Sequence, residues 1–568
     1  MSELSEDHAE GWPLRPWMMA GFGTVAGLLF YFLTHHDFQQ PLATWRQAGA
    51  TFVAIGTLSF LITAERQRLL WACAFAVGAG IVLALVGWFT AGYNRAGTIF
   101  EWPYLSGLFA ALIAAPLFQT VRDEGAWRFP YPRLHNHAWT DAVIGAASLA
   151  FTGVVFLLAT LIGGLFVTIG IEAVRKLLEK AWFGWMLSGF AFGAAVGLLR
   201  ERERLLGMLR RLVMIVYSVL APVLAVALVA FLASIPFTGL GKLWDSGVPA
   251  TPLMLVAGAA AILLANSVIG DGEDDRSANA ILNWSALALV VVILPLAAIA
   301  AYSLGIRISQ YGWTPERIWG AVAVAIAIGY GIAGWYAVGR GRRDFDEPLR
   351  PIQIGLAIGL CGLALFLALP ILDFGAISAR SQMARLDSGK VEPAKFDWTA
   401  MAFKFGPAGR YRLQQIARSG SPGTRDLAQA ALNSKSIYST DTVVEQAQND
   451  RTLDARVRVL SPGLELTPAL RHRLSEPYDG CGDQPCVLLR IDDKRLLLIA
   501  KEDAKQPVQA QIIDVADLAK EEADAVAVDT PGEEPSVDRV DLSKAKVEIR
   551  PIQRRQAFVD GKPVGEPF

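Results

Sequence analysis

The side chains of this sequence that could do chemistry gather in four places. Arg307, Gln310, Tyr311 and Arg317 fall in one run, Arg307-Ile-Ser-Gln-Tyr-Gly-Trp-Thr-Pro-Glu-Arg317, and Asp373 and Arg380 fall in a second. Guanidiniums beside an amide, a phenol and a carboxylate suit the holding of a phosphate or another anionic group through charge-assisted hydrogen bonds. His35-His36-Asp37 offers an acidic residue, Asp37, as a base or metal ligand. Cys481 and Cys486 bracket Gly482-Asp-Gln-Pro485, a spacing that lets two sulfurs meet across a tight loop. In an oxidising compartment that pair is a structural disulfide. His472 is the only His of the C-terminal part, and no Gly-rich phosphate loop or G-x-S-x-G occurs there. Zinc binding and nucleophile-plus-His catalysis therefore both lack residues. The sequence calls for no catalytic set, no metal and no cofactor.

Membrane-spanning helix must position most of these groups. A helix rises about 1.5 Å per residue, so about 20 apolar residues cross the hydrocarbon core. Such stretches run at 17–33, 48–64, 69–89, 102–121, 142–170, 182–199, 212–235, 252–269, 281–304, 318–338 and 351–372. The first two are short enough to be read as one hairpin dipping into the membrane. Residues 1–373 hold 48 charged side chains, whereas 374–568 hold 57 in about half the length, the charge density of a soluble domain. The expected fold is mainly α: a polytopic transmembrane helix bundle of about 11 spans, followed by a small mixed α/β extracytoplasmic domain. Its parts are a tail (1–16), the bundle (17–372), a helical exit segment and connector (373–435) and a strand-rich domain (436–568). The acidic stretch 517–543 is expected to form a mobile loop within that last part.

Lys and Arg in the loops set the expected orientation. The N-terminal tail and even-numbered loops carry 16, against 8 in the odd-numbered loops. The bias places the N-terminus in the cytoplasm and the C-terminal domain outside. In a bacterium that is the inner (cytoplasmic) membrane, with the C-terminal domain periplasmic. Arg200 through Arg211 is expected to lie at the surface against anionic lipid. Gly23/Gly27, Gly189/Gly193/Gly197 and Gly355/Gly359 recur at helix-packing spacing. Cys73 and Cys361 are expected to be buried. Pro222 and Pro295 lie inside spans, where each frees a carbonyl for a neighbour or a ligand. No charged residue sits near the centre of a span, which disfavours an ion-coupled transporter.

The Arg307–Arg317 run and Asp373-Phe-Gly-Ala-Ile-Ser-Ala-Arg-Ser-Gln-Met-Ala-Arg385 carry a resemblance. Over spans five to eleven and the exit segment, the chain resembles a bacterial membrane family catalogued only as a domain of unknown function. The first motif matches at Arg307, Gln310, Tyr311, Gly312, Thr314 and Arg317. The second matches at Asp373, Phe374, Ala376, Ile377, Ser378, Ala379, Arg380 and Gln382. The resemblance implies architecture and carries no activity.

Three readings of function follow. The first is a non-enzymatic envelope protein whose bundle anchors an outer domain that binds a partner protein, lipid or glycan. There the arginines and Asp373 dock the domain or hold an anionic lipid. The second is an enzyme similar to glycosyltransferases of lipid-linked sugars, with Asp37 as base and Arg307 or Arg317 on the phosphate. The third is a transporter or flippase. The implied partners are membrane lipids with an envelope protein, lipid-linked glycan or anionic lipid. No nucleic-acid partner is implied, since the net charge is −1 and no basic patch stands out.

Overall fold

The computed structural model describes residues 12–36, 42–91, 102–245, 247–272, 276–477, 480–500, 509–516, 518, 557–559 and 562–564. The chain divides into two compact units, Met1–Gln382 and Met383–Phe568. Asp37 and most of the 517–543 stretch lie outside the described residues.

The first unit is helical throughout. Its elements are α1 (Arg15–Thr34), α2 (Thr44–Thr63), α3 (Leu69–Ala91), α4 (Trp102–Glu124), α5 (Tyr131–Thr168), the short α6 (Ala173–Leu178), α7 (Ala181–Glu201) and α8 (Glu203–Thr238). The short α9 (Gly241–Asp245), α10 (Ala250–Ile269), α11 (Ala280–Tyr311), α12 (Pro315–Gly341), α13 (Asp346–Ala368) and the exit helix α14 (Phe374–Asp387) follow. Ten of these are long and apolar enough to cross a membrane. The second helix is not among the ten because Arg46, Gln47, Ser59 and four threonines dilute its apolar residues. It still runs antiparallel along all of α1. At one end Arg46 donates to the Phe32 and His35 carbonyls (2.5 and 2.6 Å), and at the other Arg15 donates to the Ala64 carbonyl (2.6 Å).

Backbone proximity holds α1 to α7. A Cβ at Gly23 would lie 2.1 Å from the Gly189 carbonyl oxygen, one at Gly27 2.2 Å from that of Trp185, and one at Gly193 2.2 Å from that of Met19. Lipid tails give helices no hydrophobic reason to associate, so this close approach supplies the dispersion contacts instead. Gly355 and Gly359 behave otherwise. A Cβ at either would meet nothing within 4 Å, because this face of α13 borders a groove against α12. They are not a packing face. Cys73 is likewise exposed rather than buried, since it lines an open groove shared by α1, α2 and α3.

A second core joins α8, α10, α11 and α12 around Leu289, Leu296, Ala261 and Ala337, all fully buried. Pro295 cannot donate to the Val291 carbonyl, and the indole Nε1 of Trp335 donates to it instead (2.9 Å). The freed carbonyl is taken by a neighbouring helix, not left for a ligand. Leu149, Val154, Leu157, Leu161 and Leu165 of α5 are exposed, so the apolar part of that helix faces outward to the lipid.

The second unit continues with a π-helical turn (Ala400–Lys404), α15 (Gly406–Ser419), α16 (Pro422–Asn433), α17 (Ile437–Arg456), β1 (Val457–Val459), α18 (Pro468–Ser475), β2 (Cys486–Arg490), β3 (Arg495–Ala500) and β4 (Gln509–Asp514). Ser421-Pro422 stops α15 and starts α16, since proline fits a first helical position but not a helix interior. The sheet order is β1-β2-β3-β4, with β1 parallel to β2 and the other pairs antiparallel. A separate hairpin pairs β5 (Ala557–Val559) with β6 (Lys562–Val564).

The expected disulfide is present. Cys481 and Cys486 are bonded, with Cα atoms 5.6 Å apart, inside a core of Leu453, Leu470, Leu474, Leu488 and Leu498. Arg456 braces its loop by donating to the carbonyls of Gly482, Gln484 (3.2 Å) and Asn449 (2.8 Å). Partial burial pushes that guanidinium below its ordinary pKa, with Asp483 opposing the shift.

Two outcomes are expected. Gly23→Val should force α1 from α7 and cost about 1–3 kcal/mol, whereas Gly359→Val should be tolerated; thermal unfolding in mild detergent compares them. Cys481→Ser should destabilise the second unit by about 2 kcal/mol, the value for so short a closed loop, read from its unfolding transition under oxidising conditions.

Candidate functional site

The two motif segments meet at one end of the bundle. At Gly312, with φ of 74°, α11 ends in a left-handed turn that glycine adopts readily. Thr314 caps α12 by accepting from the Arg317 amide (3.4 Å), and Pro315 takes the first helical position. Arg317 reaches back to the carbonyls of Gly312 (2.6 Å) and Tyr311 (3.2 Å), two acceptors at the C-terminal end of α11. The guanidiniums of Arg307 and Arg317 lie 5.8 and 5.5 Å from the Tyr311 ring, within cation–π range.

The exit helix closes onto this turn through neutral groups. Gln382 donates to the carbonyls of Tyr311 (2.9 Å) and Trp313 (3.0 Å), and Ser381 accepts from the Trp313 amide (3.1 Å). Asp373 caps its own helix by accepting from the Ala376 amide (2.9 Å). Trp319 packs on Phe374 (6.0 Å) and Trp102 (5.7 Å). Sequence reasoning anticipated docking through the arginines and Asp373 here. The contacts that join the segments are hydrogen bonds to backbone, with Ser381 and Gln382 in the part expected of the arginines. Arg307, Gln310 and Arg380 lie on the exposed side.

The opposite end of the bundle holds a constellation that the sequence reading did not pick out. Arg122, 7% exposed, pairs with Glu65 and Asp123 (both 2.8 Å) and donates to the Thr63 carbonyl (2.7 Å). His137 contacts the far oxygen of Asp123 (3.0 Å), and Arg200 approaches Asp141 (3.4 Å). Arg200 is thus buried in the bundle rather than laid on the surface, because α7 runs on to Glu201 and carries it inward. Beside this cluster Asp346, 2% exposed, forms ion pairs with Arg276 (2.9 Å) and Arg350 (2.8 Å).

The first turns of α5 touch both clusters. His137 and Asp141 face the first; Tyr131 donates to Gln353 (2.8 Å) and Asn136 to Asp271 (2.9 Å) beside the second. With 38 residues, α5 is about 57 Å long, far more than the hydrocarbon core needs. Its overhang is what stitches the loops together. The available signal was a loop assignment: starting the fifth span at 142 left His137 and Asp141 outside any helix.

Ten helices long and apolar enough to cross a membrane, ahead of a separate mixed α/β unit, are the architecture of an integral membrane protein. The chain belongs to the family described as "Domain of unknown function (DUF4153)", whose model matches residues 50–402. That span runs from α2 into the π-helical turn and leaves the disulfide-bearing sheet outside it. No protein of curated function and no solved structure matches the chain.

Asp141→Ala would strand the buried Arg200 guanidinium. The expected loss is about 3–5 kcal/mol, read from unfolding of the full chain in detergent. Gln382→Ala should cost about 1 kcal/mol by the same measurement.

Proposed function

We propose that the bundle is an anchor in the inner membrane of a bacterial envelope and that it orients the disulfide-bearing unit on the periplasmic side, where that unit binds a partner protein. The observation that carries this reading is the buried Cys481–Cys486 bond at the centre of the second unit's core. Such a bond persists in an oxidising compartment, and the excess of Lys and Arg on the N-terminal tail and even-numbered loops agrees with that placement. The guanidiniums of Arg122, Arg200 and Arg350 each reach a neighbouring helix, at the Thr63 carbonyl, Asp141 and the Ile269 carbonyl, the work of a rigid support.

The test uses the full chain in its native membrane, with a photoreactive residue in place of Tyr438, which is 87% exposed on α17. Irradiation should yield one discrete adduct of higher mass, and thiol labelling of the denatured chain without reductant should leave Cys481 and Cys486 unmodified. Free thiols at both positions would overturn the periplasmic placement, and labelling by bulk lipid alone would overturn the partner-binding role.

A further inference from the structure

We infer that the groove between α3, α4 and α13 is a binding site for an anionic phospholipid, with the head-group phosphate on Arg66 and Arg68 and an acyl chain along the helices. This goes beyond the anchoring role and does not depend on the C-terminal unit. The groove holds about 980 Å³ and is walled by Trp71, Phe75, Phe118 and Ile358, with the rings of Phe75 and Phe118 stacked at 4.5 Å. That volume lies at the top of the range of about 300–1,000 Å³ for small-molecule sites, enough for a substantial part of an amphiphile.

Charge separates this groove from mere lipid-facing relief. Its lining includes Arg66, Arg68 and Arg122 and, among the described residues, no acidic side chain. Three other grooves on the bundle, of about 360–400 Å³, have linings without any charged side chain among the described residues. Those suit bulk acyl chains. Here the arginines stand at the end of the groove that borders the ion-paired cap, where a head group would sit. Arg122 is committed to Glu65, Asp123 and the Thr63 carbonyl, so the acidic groups nearby are already engaged. Among the described residues Arg68 commits Nη1 alone, to the Arg122 carbonyl, with Asp123 at 3.8 Å. Its side chain is 41% exposed, which leaves Nε and Nη2 to donate to a phosphate. The head group's charge would thus be met by a guanidinium held in place from behind.

The experiment reconstitutes the full chain in phosphatidylcholine vesicles with a trace of phosphatidylglycerol bearing a photoreactive acyl chain. Adducts are then mapped by mass spectrometry. They should concentrate on Trp71, Phe118 and the Ile358–Gly362 segment, and excess phosphatidylglycerol should displace them while phosphatidylcholine does not. Replacing both arginines (R66Q with R68Q) should lower adduct yield about tenfold, the loss expected for charge-assisted hydrogen bonds. Gly362→Trp should abolish it. A Cβ there meets nothing within 4 Å, so the variant fills the groove without straining the helix. Unchanged unfolding temperatures would show that both variants fold. Adducts spread evenly over the exposed bundle, equal displacement by phosphatidylcholine, or full labelling of Gly362→Trp would each overturn the site and leave only annular lipid.

Discussion

Two guanidiniums, those of Arg122 and Arg200, are withdrawn from water at one end of the bundle, and much of the assembly follows from the need to satisfy them. A buried charge without partners is expensive enough that no single helix could carry it. Partners come from α2, α4, α5 and the linker at Glu65, while Arg15 on α1 closes the set by donating to the Ala64 carbonyl. The cap therefore acts as a register mark. Sliding any one of these helices by a turn would separate a guanidinium from its carboxylate.

Elsewhere the helices associate by shape. Along α1 and α7 the glycines bring backbone against backbone, and between α11 and α12 an indole answers the carbonyl that proline leaves open. At the far end the connection to the exit helix is made by Gln382 and Ser381 on main-chain atoms of the 311–313 turn. Neutral amide and hydroxyl bonds tolerate changes of salt and pH that would weaken exposed ion pairs. The two ends are thus held by different physics.

Much of the architecture was legible from hydropathy alone, because a spanning helix needs a long apolar run and few other structures do. The glycines of α1 and α7 and the disulfide were legible from local spacing, although Gly355 and Gly359 share that spacing and do not pack. What escaped were features made by chain segments far apart in sequence. Nothing in His137 or Asp141 announces that Asp123 and Arg200 will face them. The helix α17 escaped because Ile437, Thr440, Thr442, Val443 and Val444 are β-branched and weak helix formers, so tertiary packing around Leu453 decides its form. In the Arg307–Arg317 run the residue types pointed to anion chemistry. There, Gly312, Thr314 and Pro315 shape the turn, and Arg317 spends hydrogen bonds on the backbone.

The polar character of α2 bears on how the chain enters a membrane at all. With Arg46, Gln47 and four threonines, this helix partitions into lipid less readily than those on either side of it. Thr51, Ser59 and Thr63 are buried against neighbouring helices, and each threonine hydroxyl is returned to its own backbone one turn earlier. The favourable route during synthesis is therefore entry as a hairpin, with α1 already seated and α3 arriving to enclose the polar face. Biogenesis of the N-terminal third is in this sense a concerted event, set by one helix that is a poor solute in hydrocarbon until it has company.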